Sequence, residues 1–208
     1  MDESKVLLIV EDIPNILELL DLTLKYNGYQ VMTARNGLEA LEVLEDKHPA
    51  LIITDILMPR MDGFTLIYRL RTDQKTRDIP VVFLSATYVS PEDKAFAATL
   101  GATKFIEKPI DTKTLLKTIA DLIKQPPTAF PMLLKEKEFF EKYQTRLETK
   151  LEQKNTQIAR AERLLETVPL NEKPGFEATL NQAISDRQSI EIELENLRKH
   201  LNSSGSSK

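Results

Sequence analysis

The sequence predicts an α/β protein, a five-stranded parallel sheet with helices wound on both faces, followed by an all-α antiparallel helical hairpin. Three observations predict it. Up to Gln125, short and nearly all-apolar runs alternate with amphipathic helical patterns, strand then helix, five times over. The strongest of those runs are nearly all apolar, as strands covered on both faces read. Beyond Pro126-Pro127 only helical periodicity remains. The expected divisions are an α/β domain over 1–124, a Pro-rich linker over 125–131, a hairpin over 132–201 and a disordered Ser-rich tail over 202–208.

The clearest strands are Val6–Val10, Leu51–Thr54 and Val81–Leu84, with weaker candidates at Tyr29–Thr33 and Lys104–Ile106. Ile13, Ile16, Leu17, Leu20 and Leu24 follow the spacing of an amphipathic helix. Asn36-Gly37-Leu38-Glu39 has the form of a capping box and opens the second helix. A third begins near Gly63 and holds Phe64, Ile67 and Leu70. Ser90-Pro91-Glu92-Asp93 opens a fourth, with Pro91 at its first position and Gly101 after its last turn. Asp111 caps a fifth, which contains Leu115, Leu116, Ile119 and Leu122. Right-handed crossovers make this order an open parallel sheet, whose ligands sit beyond the carboxyl ends of the strands.

Composition narrows the function. Hydrophobic residues are 41% and charged residues 29%, as in folded globular chains. A net charge of -4 supplies no basic field for nucleic acid. With no cysteine there is no disulfide, thiolate metal site or thiol nucleophile. The run Val6–Val10 is too short for a signal-peptide core, and no stretch reaches the roughly 20 apolar residues of a membrane span. The expectation is a cytoplasmic protein without membrane or nucleic-acid partners.

The chemistry gathers at one rim. The first strand runs into Glu11-Asp12, the third into Asp55, the fourth into Ser85, and the fifth is followed by Lys108-Pro109. Singly, an Asp after a strand is most often a cap or a solvated turn residue, and a lone Ser or Lys is usually surface. Together, three carboxylates at one rim repel one another unless a cation or protons offset them. Oxygen ligands suit a hard ion, and a site that leaves room for water and phosphate suits magnesium. Asp55 would then attack phosphorus to form an acyl phosphate. A cation and the Lys108 ammonium would neutralise the phosphoryl oxygens, with the Ser85 hydroxyl donating to one of them.

These residues resemble the receiver domain of two-component response regulators. The matching elements are Val6–Val10 with Glu11-Asp12, Asp55 with Met58-Pro59-Arg60-Met61-Asp62-Gly63, Ser85-Ala86-Thr87, and Phe105 with Lys108-Pro109, in family order and at family spacing over about 5–124. The resemblance implies a flavodoxin-like (βα)5 fold with Asp55 as phosphoacceptor. It implies Glu11 and Asp12 as the acid pair around magnesium, Asp12 the more direct ligand, with the Leu57 carbonyl completing the protein ligands. Lys108 and Ser85 are the implied catalytic helpers, Ser85 and Phe105 the switch residues, and a cis Lys108–Pro109 bond fits the family. Leu57 and Thr87 occupy positions that tune the lifetime of the phosphoryl group. Neither carries a carboxylate or amide to orient water, so slow dephosphorylation is expected. The implied partner is a histidine kinase or histidine phosphotransfer protein, and the chain is a phosphoacceptor signalling domain rather than an enzyme with an external substrate. Phosphorylation would draw Ser85 toward the phosphoryl group, turn Phe105 inward and remodel the face of the last helices.

Past the linker, Phe140, Tyr143, Leu147, Leu151, Lys154, Ile158, Ala161, Leu165 and Val168 recur at spacings of three or four. Two successive four-residue steps at Tyr143–Leu147–Leu151 interrupt the heptad. Pro169 to Gly175 breaks the helix. Phe176, Leu180, Ala183, Arg187, Ile190, Leu194, Leu197 and Leu201 then alternate steps of four and three, the coiled-coil pattern. Arg187, the charged member, is expected to pair with an acid across the seam. A lone two-helix hairpin has little core, so a homodimer forming a four-helix bundle is expected, a monomeric hairpin packed on the receiver being the other arrangement. Neither His48, in a loop before Pro49, nor His200, near the helix end, sits where a phosphotransfer histidine would. The predicted output is protein–protein contact or dimerisation. The alternatives are a receiver plus coiled-coil piece of a larger hybrid histidine kinase or cyclic-dinucleotide enzyme, and a scaffold that is never phosphorylated.

Overall fold

The computed structural model describes residues 6–85, 91–127, 134–167, 169 and 173–205. The chain divides into two compact units, Met1–Leu133 and Leu134–Lys208.

The first unit alternates strand and helix: β1 (Val6–Val10), α1 (Pro14–Tyr26), β2 (Gln30–Ala34), α2 (Gly37–Asp46), β3 (Leu51–Asp55), α3 (Gly63–Thr72), β4 (Val81–Ser85), α4 (Pro91–Thr99), β5 (Lys104–Glu107) and α5 (Thr112–Lys124). All pairings are parallel and the order is β2-β1-β3-β4-β5, the flavodoxin-like arrangement. The strand order reverses between β1 and β3, and ligand sites form at such a switch point.

Burial follows the alternation of side chains along each strand. Leu7, Ile9, Leu51, Ile53, Val82 and Leu84 pack with Leu20 and Leu24 of α1 and Leu115 and Ile119 of α5. On the other face Phe83 meets Phe64 of α3 at 5.5 Å between ring centroids, and Phe64 meets Phe96 of α4 at 5.4 Å. The caps are as expected: Asn36 accepts from the backbone N–H groups of Leu38 and Glu39, and Asp111 from that of Thr114. Asp62, almost wholly buried, caps α3 by accepting from Phe64 and Thr65. Ser90 lies outside the described residues.

Far from the acids, at the amino ends of the last two strands, the buried Arg71 donates to the carbonyls of Ile79 and Gly101, each at 2.9 Å. Burial pulls its pKa down to about 10, so it keeps its charge at neutral pH.

The second unit is α6 (Glu136–Thr167) packed along α7 (Lys173–Gly205). Cross-helix pairs join Lys154 to Asp186 and Glu148 to Arg198, so position falls along α6 as it rises along α7, and the hairpin is antiparallel. Much of the predicted stripe is buried, Phe140, Tyr143, Leu147 and Ile158 on α6 and Ala183, Ile190, Leu194 and Leu197 on α7, while Phe176 is exposed. Phe139 joins the buried residues, its ring 4.9 Å from that of Phe140. Two other expectations differ. Arg187 lies near Glu191 of its own helix, 3.6 Å away, and Lys154 carries the cross-seam pair with Asp186 at 2.7 Å. A carboxylate one turn along the same helix is within reach at no cost in backbone geometry. The helix also runs through Asn202–Gly205, into the segment expected to be disordered, since extending a formed helix costs far less than starting one. Val168 and residues 206–208 lie outside the described residues, as do the side chains of His200 and Leu201.

Candidate phosphoacceptor site

The site is built by strand register. Val10 of β1 pairs with Thr54 of β3, so the next residues, Glu11-Asp12 and Asp55, emerge side by side. Asp55 pairs with Leu84, and Ser85 with Glu107, which brings Lys108 to the same edge. One oxygen from each of Glu11, Asp12 and Asp55 falls within 4.8 Å of the others. The Lys108 ammonium donates to Glu11 at 2.8 Å and to Asp55 at 2.7 Å. The other Asp55 oxygen accepts from the Ile56 backbone N–H at 2.6 Å. Glu11 is fully buried, while Asp55 keeps some solvent access. The Lys108–Pro109 peptide is cis.

The electrostatics fit a cation. Burial, then the Asp55 charge, raises the pKa of both Glu11 and Asp12. Burial disfavours the Lys108 ammonium, but the carboxylates of Asp55 and Glu11 outweigh it and its pKa rises. Three carboxylates against one ammonium leave the cluster short of positive charge, and an all-oxygen set of this spacing suits magnesium.

Of the sequence-predicted residues, Glu11, Asp12, Asp55 and Lys108 meet here. Leu57 lies in the loop after Asp55, its side chain partly exposed. Ser85 ends β4, but its side chain and Thr87 fall outside the described residues. Phe105 sits on β5, half-buried, with its ring 5.3 Å from that of Phe83.

A model of the response regulator receiver domain matches residues 7–120. The chain belongs to that family. The receiver is 34% identical over 119 residues to the DNA-binding dual master transcriptional regulator RpaA of Synechocystis, covering 57% of this chain and 49% of RpaA. It is 35% identical over 113 residues to protein PilH of Pseudomonas aeruginosa, covering 54% of this chain and 93% of PilH. Among solved structures it resembles the receiver domain of a signal transduction histidine kinase from Syntrophus aciditrophicus, 36% identical with TM-score 0.55, over 62% of this chain and 98% of that one. The chemotaxis response regulator CheY4 of Vibrio cholerae is 35% identical with TM-score 0.53, over 56% of this chain and 97% of that one. The chain spans about half the length of RpaA and the ycf27 regulators it matches. No described helix is long and apolar enough to cross a membrane.

The sequence assigns Met58, Pro59 and Met61 to shaping the loop beside Asp55 and Gly63 only to the start of the third helix, but Gly63 also holds that loop. The Gly63 N–H donates to the Ile56 carbonyl at 2.7 Å and closes it. A Cβ at Gly63 would collide with the Asp55 carbonyl oxygen and lie 2.7 Å from a Phe83 ring carbon. The Asp-Gly pair is visible in the sequence; the crowding behind it exists only once β3, β4 and α3 are packed.

Proposed function

We propose that this receiver accepts a phosphoryl group on Asp55 from a histidine kinase or histidine phosphotransfer protein, with magnesium, and signals through contacts made by its C-terminal helices. The observation that carries the reading is the Lys108 ammonium seated between Asp55 and Glu11, with Asp12 beside them. An Asp55 carboxylate oxygen attacks phosphorus; the P–O bond forms as the donor's P–N bond breaks, and the departing imidazole takes a proton. Asp12, Asp55 and the Leu57 carbonyl, with Glu11 alongside, would hold magnesium, which would supply charge neutralisation at the phosphoryl oxygens. Lys108 then moves its hydrogen bond from the carboxylate to a phosphoryl oxygen. The chain turns over no external substrate; only its own acyl phosphate forms and decays. A protein donor is favoured by α1, where Ile13, Leu19, Leu22 and Tyr26 are exposed and begin next to Asp12. The test is intact mass after treatment with acetyl phosphate and magnesium: an added phosphate is expected, and an unchanged mass counts against the reading.

Two further outcomes are expected. The Leu57 side chain offers no group to orient water, so the acyl phosphate should persist for minutes or longer; a decay half-life of seconds, followed by the same mass measurement, would refute this. The hairpin leaves Leu164 and Phe176 exposed along a groove of about 650 Å3 that Ala161 and Ala183 also line, which suits a second hairpin. Light scattering should therefore report twice the monomer mass. Repeating it with beryllofluoride and magnesium tests whether phosphorylation alters assembly, and an unchanged profile would remove dimer switching as the output.

A further inference from the structure

Outside the acid cluster, the most tightly specified neighbourhood is the contact between the first turn of α2 and the loop 56–62. The Glu39 carboxylate accepts from the Arg35 backbone N–H at 2.9 Å and from the Asn36 side-chain amide at 3.0 Å, and it is also ion-paired with Arg60. Arg60 stands in the left-handed region at φ 68, unusual for a residue with a side chain. Around it the Met61 N–H donates to the Pro59 carbonyl at 2.8 Å. The Gly37 N–H donates to the Met61 carbonyl at 3.0 Å, and a Cβ at Gly37 would lie 2.6 Å from Met61 Cγ. The partners are 21 residues apart for Glu39 and Arg60, so this is a tertiary clamp rather than local turn chemistry. Asp62 and Gly63 fix the far end of the same loop.

We propose that Glu39, Gly37 and Arg60 are positioning residues for the phosphoacceptor site, holding the Asp55 loop so that its backbone is set for magnesium before the ion arrives. The proposal rests on the magnesium reading above. An exposed ion pair contributes little to stability by itself. Here it holds a loop with a left-handed residue in one conformation, so its effect falls on ion affinity more than on folding. Backbone ligands delivered by a pre-set loop bind without the cost of ordering it.

The test is calorimetric titration of the full chain with magnesium chloride, with the urea midpoint recorded in chelator. Arg60→Ala should weaken magnesium binding roughly three- to fivefold, about the most that an exposed pair supplies. Arg60→Lys should recover most of the loss. Gly37→Ala, which forces the Met61 side chain aside and loads the bond to its carbonyl, should weaken binding to a similar degree. Magnesium affinity equal to the parent's in both alanine variants would overturn the proposal, and a lowered urea midpoint alone would mark the contact as a brace without a role at the site. If Gly37→Ala does not fold, Arg60→Ala decides, since its side chain is largely exposed. A parent chain that binds no magnesium overturns the underlying reading instead, and this proposal with it.

Discussion

Asp55→Asn is expected to take up no phosphoryl group from acetyl phosphate at any magnesium concentration, while remaining folded. The side-chain amide keeps the size of the carboxylate, and its oxygen can still accept from the Ile56 N–H or the Lys108 ammonium that bond Asp55 now. It lacks the charged oxygen that attacks phosphorus, and Glu11, fully buried and engaged with Lys108, does not replace it. Intact mass separates the outcomes, and an added phosphate on the variant would place the acceptor elsewhere. Stability should move the other way. The Asp55 charge, after burial, raises the pKa of both Glu11 and Asp12, so removing it relieves repulsion in the ion-free protein. A gain in stability is expected, measured as a shift in urea midpoint without magnesium.

Gly63→Ala is expected to be the most damaging single methyl in the receiver. The new Cβ would meet the Asp55 carbonyl oxygen, a Phe83 ring carbon at 2.7 Å and the Ile56 Cα at 3.1 Å. None of these can swing aside as a flexible side-chain end would. Asp55 is held in β3 by its pairing with β4, and Phe83 is fully buried against Phe64. Overpacking of this kind costs about 2–3 kcal/mol, and it displaces the backbone that carries Asp55. Both the urea midpoint and phosphorylation by acetyl phosphate should fall. Gly175→Ala is the control, because a Cβ there meets nothing within 4 Å and α7 gains about 0.5–1 kcal/mol of helix propensity. Equal effects at the two glycines would show that crowding at Asp55 is not the cause.

Much of this architecture was legible because burial on both faces leaves a plain mark in sequence. Leu7, Leu8, Ile9 and Val10 are fully buried, and the strand Val6–Val10 was read with its observed bounds. At β5 the pattern is weaker: Lys104 and Glu107 are exposed and only Ile106 is buried, so the expected strand stopped one residue short. The acid cluster was legible for a different reason. In a parallel sheet every strand delivers its carboxyl end to one edge, so Glu11, Asp12, Asp55 and Lys108 had to meet. What stayed hidden depends on side chains meeting across helices. Nothing in the spacing sets Arg60 against Glu39, or chooses Lys154 over Arg187 as the cation that crosses the hairpin seam. In both cases several charged residues were within reach, and packing made the choice.

Arg71 has a consequence for how the receiver can move. Its two bonds tie the end of α3 to the chain just before β4 and to the turn just after α4. The end of the β4-α4-β5 segment away from the acids is thereby riveted to the rest of the domain by a permanently charged, buried fork. Asp55 lies beside the opposite end of β4, where it pairs with Leu84. With the end away from the acids anchored at Arg71, any displacement of the segment would be smallest there and would grow with distance from it.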